Sequence, residues 1–176
     1  MTDTVTDTLK AIRHVRQTRA YTNEPIDSAA LDEILEVARW SGSSANTQPW
    51  RFIVIDDKEV LKQMAAIRLP WIATAPVAIA IVLDGNKRLS EAYDEGRVTE
   101  RIMIAAKLLG LGSAVAWYGD ADQQAQAKAI LNIPAEATAR ALITIGHPDP
   151  SQASKSAGGG GRKPLEELVS RNRLDS

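Results

Sequence analysis

The sequence contains no cysteine. Disulfides, thiolate zinc sites, iron–sulfur clusters and cysteine nucleophiles are thereby excluded. Histidine is scarce: only His14 and His147 occur, too few for a histidine-rich metal centre. Neither sign of charge dominates, since 21 Lys and Arg are set against 22 Asp and Glu. That balance argues against a nucleic-acid binder or a membrane-surface binder. Long apolar runs are missing too. The most apolar stretch, Ile72 to Leu83, contains Thr74 and Pro76 and falls short of the roughly 20 residues a membrane span needs. The first residues, Met1-Thr-Asp-Thr-Val-Thr-Asp-Thr8, lack the basic and apolar regions of a signal peptide. A soluble, cytoplasmic protein is expected. Neither HExxH nor GxSxG is present, so zinc-hydrolase and serine-hydrolase chemistry lacks its usual frame.

What remains is a chain of 176 residues with 44 % hydrophobic content. That suits one domain over residues 1–176 with a core that needs no staples. Helical spacing of Leu9 and Ile12 predicts a first helix from Thr6 to about Val15. Asp27 or Ser28 can cap a second, carried by Leu31, Ile34, Leu35 and Ala38. Phe52–Ile55 reads as a buried strand, and Asp56-Asp57-Lys58-Glu59 opens a third helix to about Ala66. Pro76–Leu83 is a second strand, Glu91–Leu111 a long helix ended by Gly110 and Gly112, and Ala114–Trp117 an extended segment. Asp122–Leu131 is a helix, Ala139–Ile145 a strand, and Leu165–Val169 a short terminal helix. Residues 151–161, with four consecutive glycines, read as a flexible loop before a C-terminal arm over 162–176. Alternation of strands and helices alone suggests a doubly wound parallel sheet, although periodicity fixes neither strand order nor direction.

Four patches are polar without an obvious structural reason. Arg13-His14-Val15-Arg16-Gln17-Thr18-Arg19 crowds cations at a helix end. Guanidinium forks match phosphate oxygens, but the same charges also suit a solvated helix C-terminus. Ser41-Gly42-Ser43-Ser44-Ala45-Asn46-Thr47-Gln48-Pro49-Trp50 combines small residues with hydroxyls and amides that can meet a ligand closely; it also reads as an ordinary loop with Trp50 as core anchor. In Gly110-Leu-Gly112-Ser-Ala-Val-Ala-Trp117-Tyr118-Gly-Asp120 the glycines follow a helix instead of opening one, so a dinucleotide fingerprint fails its context. Arg162-Lys163 carries two cations behind the glycine run. The acids Glu91, Asp94 and Glu95 share helical spacing and read as a solvated face.

Taken in this order, the patches resemble the FMN-dependent nitroreductase family from about residue 8 to 169. The matching pieces are Arg16-Gln-Thr-Arg19-Ala-Tyr21-Thr-Asn-Glu-Pro-Ile26, Ala38-Arg-Trp-Ser-Gly-Ser-Ser-Ala-Asn46-Thr-Gln48-Pro49-Trp50-Arg-Phe52, Met103-Ile-Ala-Ala-Lys-Leu-Leu-Gly-Leu-Gly-Ser113, Ile145-Gly-His-Pro148 and Arg162-Lys-Pro-Leu-Glu-Glu-Leu-Val169. The resemblance implies an α+β fold, a three-layer α/β/α sandwich with a mainly antiparallel central sheet. It implies an intertwined homodimer with FMN at the interface, and a glycine run that lets the arm cross to the other copy. It implies electron transfer from NAD(P)H to a nitroaromatic, quinone or similar small-molecule acceptor by a ping-pong route. Arg16, Gln17, Thr18 and Arg19 match the N-terminal flavin motif, with Arg19 near the N1/O2 edge of the ring. Ser43, Ser44, Asn46 and Gln48 match the loop that meets the flavin from the partner. Val115, Ala116, Trp117 and Tyr118 match the segment beside N5, and Arg162 matches a phosphate contact.

Departures from the pattern narrow these expectations. Val15-Arg16-Gln17 stands where the family often has Arg-Arg-Ser, so Arg13 or His14 would have to substitute. Gly160 replaces a lysine of the arm, Trp117 replaces an acid beside N5, and Arg68 is a loose match for a mid-chain cation. Trp71 and Tyr93 either line the pocket or serve packing. Two other readings accompany the leading one: a flavin-sequestering protein without turnover, and a specialised relative such as a reductive dehalogenase or flavin-fragmenting enzyme.

Overall fold

A computed structural model describes residues 3–152 and 161–174. Five helices and four strands alternate: α1 (Asp3–Arg13), α2 (Ser28–Arg39), β1 (Trp50–Ile55), α3 (Lys58–Ile67), β2 (Val77–Leu83), α4 (Arg88–Leu108), β3 (Gly112–Trp117), α5 (Ala121–Ile130) and β4 (Ala141–Gly146). Helix starts follow side-chain capping. Asp27 accepts from the Ala29 N–H at 3.1 Å, and Asp57 from the Glu59 N–H at 2.7 Å, relieving amides that have no partner within the helix. α4 begins one turn earlier than its apolar stripe predicts. Its entry is tied from inside: buried Glu91 accepts from the N–H groups of Gly85 and Lys87 at 3.1 and 2.9 Å.

The strands form one sheet in the order β1-β2-β4-β3, and every neighbouring pair is antiparallel. This corrects the parallel sheet suggested by periodicity and agrees with the sheet implied by the family resemblance. The physical reason lies in β2, which is buried at every residue. Val77, Ile79, Ile81 and Leu83 face a core shared with α2 and α4, while Ala78 and Ala80 face one shared with α3 and α5. A strand covered by helices on both faces reads as a continuous apolar run whichever way its neighbours point. The layers are therefore helix, sheet, helix, and the fold is α+β.

The β2–β4 ladder carries one fault. Val77 pairs with Ile145 and Ala80 with Leu142, yet beyond them Leu83 pairs with Thr138. One more residue is thus fitted on the β4 side than on the β2 side, which is a bulge. The Ala141 N–H there is taken by Oε1 of buried Glu95 at 3.2 Å, so Glu95 is no solvated acid.

The expected terminal helix at Leu165–Val169 is only a 3-10 turn over Leu165–Glu167. Nothing among the described residues covers it: Leu165, Leu168 and Val169 are all exposed, and so short a segment rarely holds an α-helix without packing. The expected flexible loop lies almost wholly at 153–160, outside the described residues.

Candidate functional site

α1 ends in a cluster of side chains that turn back on its own carbonyls. His14 Nδ1 lies 2.6 Å from the Lys10 carbonyl, Arg13 donates to Leu9 O at 3.3 Å, and Arg16 donates to Arg13 O and Val15 O at 3.0 and 2.7 Å. Of these acceptors, Arg13 O belongs to the last turn, whose carbonyls lack a partner within the helix. The chain then runs beside the start of β3. Gln17 bridges Ser113 in parallel, and the Thr18 N–H donates to Ser113 O at 2.8 Å. Thr18 O accepts from the Tyr21 hydroxyl, which also lies 2.7 Å from Thr144 Oγ1. Burial pushes the Tyr21 phenol well above its ordinary range, so it stays a neutral donor.

β3 is an edge strand, and its outer side is open beyond Ser113. The Tyr118 N–H donates inward to Arg140 O at 2.9 Å. In an antiparallel pair such inward residues alternate with outward ones. Ser113, Val115 and Trp117 therefore point their backbone groups away from β4. Ser113 O is taken by Thr18, while the N–H groups of Val115 and Trp117 meet no partner among the described residues. Arg68 reaches this strand directly, and Arg19 follows Thr18 in the segment that borders it. Arg19 donates to Gln17 Oε1 at 3.1 Å, with its guanidinium 5.5 Å from the centre of the Trp71 ring. Arg68, at the end of α3, donates to Trp117 O at 3.2 Å. Ala116 and Tyr118 point inward; the Tyr118 hydroxyl donates to Met64 O at 3.1 Å.

The structure thus gathers Gln17, Thr18, Arg19, Val115 and Trp117 at one sheet edge and adds Arg68 and Trp71. Nothing short-range in sequence links Arg68 or Trp71 to that edge; the signals were the loose match of Arg68 to a family cation and the reading of Trp71 as a residue that either lines the pocket or serves packing. The loop Ser43–Gln48 lies elsewhere. It leads into β1, at the opposite edge, about 14 Å across three strand spacings. It is tied to α4, where Asp94 accepts from the Ser44 N–H at 3.0 Å, and to itself, where Ser43 Oγ accepts from the Gln48 N–H at 2.9 Å. Ala45, Asn46 and Gln48 all sit at positive φ, 49°, 54° and 48°, a conformation non-glycine residues adopt at a cost. Asn46 and Gln48 are exposed, as is Arg162 on the arm. Trp50 is buried against the core and serves packing.

A last pair stands behind β3. Arg140 Nη2 lies 2.8 Å from Oε2 of Glu95, and the Arg140 guanidinium lies 5.6 Å from the centre of the Trp117 ring. Burial pushes the Glu95 carboxyl above its ordinary value, while Arg140 and the Ala141 N–H pull it back.

Comparison with known proteins places this geometry. The Nitroreductase family profile matches residues 12–69. A protein of Archaeoglobus fulgidus, provisionally named an NADH dehydrogenase/NAD(P)H nitroreductase, is 32 % identical over 149 residues, 80 % of this chain and 84 % of its own. The NAD(P)H-type FMN reductase of Bacillus subtilis is 27 % identical over 172 residues, 85 % of this chain and 69 % of its own. The structure of an FMN-dependent nitroreductase from Clostridium difficile superposes with a TM-score of 0.83 at 25 % identity, covering 94 % of this chain and 99 % of that one. The chain belongs to the nitroreductase family. No helix among the described residues is long and apolar enough to cross a membrane.

Proposed function

We propose that this protein is an FMN-dependent oxidoreductase that passes electrons from NAD(P)H to a small organic acceptor, a nitroaromatic or a quinone. The observation that carries the reading is the open β3 edge. Among the described residues it offers two unpartnered amides, from Val115 and Trp117, with Arg68 bound to the Trp117 carbonyl and Arg19 on the bordering segment. That donor set fits a flat heterocycle rich in nitrogen and oxygen, and the positive charge fits a ring that becomes anionic on reduction. FMN, when bound, supplies the hydride chemistry. The chain holds the ring edge with the Val115 and Trp117 amides and favours its reduced charge with Arg19 and Arg68. Donor and acceptor then share one open face in turn, which gives ping-pong kinetics.

The second half of the site comes from a second copy in this reading. Ser43, Ser44, Asn46 and Gln48 are too far from the β3 edge of their own chain, so the loop of one copy serves the FMN of the other. Support comes from the apolar surface left open on α1 (Val5, Leu9, Ile12), at Leu108 and Leu109, and along the arm, where Leu174 is 91 % exposed. On α1 the three residues share one face at i, i+4 and i+7 spacing, the pattern of a helix that seeks a partner surface. Arg162 on the arm takes the phosphate, and Arg16 joins it by turning away from the α1 carbonyls.

The visible spectrum of the purified protein tests the reading, with light scattering for the mass. A yellow dimer that bleaches with NADH or NADPH is expected. A colourless protein that takes up no added FMN overturns it. Tight FMN uptake without bleaching transfers the protein to the sequestering class.

A further inference from the structure

Trp117 ends β3 with 46 % of its surface open. An indole so exposed is free to change rotamer unless something holds it. Here Arg140 covers one face of its ring at a separation within cation–π range, and Gly119 lies against its Nε1 edge, where a methyl group would stand 2.9 Å away; Arg68 fixes the backbone carbonyl beneath it. Arg140 is fixed in turn by Glu95, whose side chain is 2 % exposed. Glu95 stands at the β2–β4 bulge, where its other oxygen takes the spare Ala141 N–H. An apolar pair of equal volume would usually stabilise the fold as well as, or better than, a buried ion pair. The pair therefore calls for a purpose beyond stability, and the side chain it controls lies at the proposed FMN edge.

We infer that Arg140 is a positioning residue that fixes the Trp117 indole as a wall of the acceptor pocket, with Glu95 holding Arg140 in place, so that flat two-ring acceptors are favoured. Arg140 covers one face and Gly119 abuts the Nε1 edge, yet 46 % of the residue stays open, and that open surface is what we assign to stacking. A fused two-ring quinone overlaps an indole more fully than a single-ring nitroaromatic does. The inference rests on the FMN reading, because only that reading makes the β3 edge the place where acceptors arrive.

The test compares wild type with Arg140→Met and Trp117→Leu as FMN-loaded proteins. The probes are 2-methyl-1,4-naphthoquinone and 4-nitrobenzoate. In both variants KM for the naphthoquinone should rise about tenfold, with a much smaller change for 4-nitrobenzoate; in Arg140→Met, kcat should move far less than KM. Arg140→Lys, which keeps a cation over the ring, should recover part of the loss. The FMN-free proteins supply an independent readout. Acrylamide quenching of the emission component that Trp117→Leu removes should rise in Arg140→Met as the indole loosens. If Arg140→Met fails to fold, the double variant Glu95→Gln/Arg140→Met, which buries no charge and keeps an acceptor for Ala141, carries the same expectations. Unchanged naphthoquinone KM together with unchanged quenching overturns the inference. A wild type that binds no FMN overturns the FMN reading instead, and quenching alone then decides whether Arg140 holds the indole.

Discussion

A methyl group placed on Gly112 would stand 2.8 Å from Cβ, Oγ1 and Cγ2 of Thr18. The first residue of β3 and the 15–21 segment thus approach so closely that only glycine fits between them. Gly112→Ala should push the segment off the sheet edge, with a stability loss of about 1–3 kcal/mol. FMN affinity should fall with it. Urea titration and FMN fluorescence titration check the two effects; unchanged FMN affinity would show that the segment does not touch the cofactor.

If FMN sits at the β3 edge as proposed, Arg19 and Arg162 have different tasks. Arg19→Ala should slow FMN reduction more than it weakens FMN retention, because its charge matters most once the ring is reduced. Arg162→Ala should do the reverse, since a phosphate contact holds the cofactor without entering the chemistry. Stopped-flow bleaching and FMN dissociation constants, measured on both variants, separate the roles. Equal effects from both changes would refute the assignment.

Tyr21 ties the N-terminal segment to the middle of the sheet through Thr18 O and Thr144 Oγ1. Thr144 also donates to Ala114 O at 3.2 Å. Tyr21→Phe removes the single hydroxyl proton that faces both Thr18 O and Thr144 Oγ1 and should cost about 1–3 kcal/mol. Thermal or urea unfolding gives the value.

Glu95 and Arg140 should be strongly non-additive. Glu95→Gln alone leaves a guanidinium buried without a counter-charge, at a cost toward the lower end of about 3–5 kcal/mol, because burial already works against the carboxylate. Adding Arg140→Met should restore much of the loss. Because the Glu95 carboxyl is raised in the folded state, the folded chain holds that proton more tightly than the unfolded chain does. Its contribution favours folding at acid pH and declines as pH climbs from the ordinary glutamate value, about 4.3, through the raised one. Glu95→Gln should flatten that part of the stability–pH curve.

Much of the framework was legible from local chemistry. Asp27 and Asp57 announce their helices because capping is decided within three residues. Strand direction was not, because the buried run Val77–Leu83 satisfies helices on both faces in either sense; only the family resemblance supplied it. The site divides in the same way. Gln17, Thr18 and Arg19 follow one another in sequence, so their patch stands out. Arg68, Trp71, Glu95 and Arg140 come together only through folding. Glu95 in particular has the spacing of a surface acid, and its partner lies 45 positions away at a bulge that no periodicity reveals.

The bare side of β3 has one more outcome. Amides that can welcome a cofactor can equally welcome a foreign strand, and unguarded sheet borders invite self-association. Chains emptied of FMN should therefore clump sooner than loaded ones, so that supplying riboflavin during expression would govern yield as well as colour.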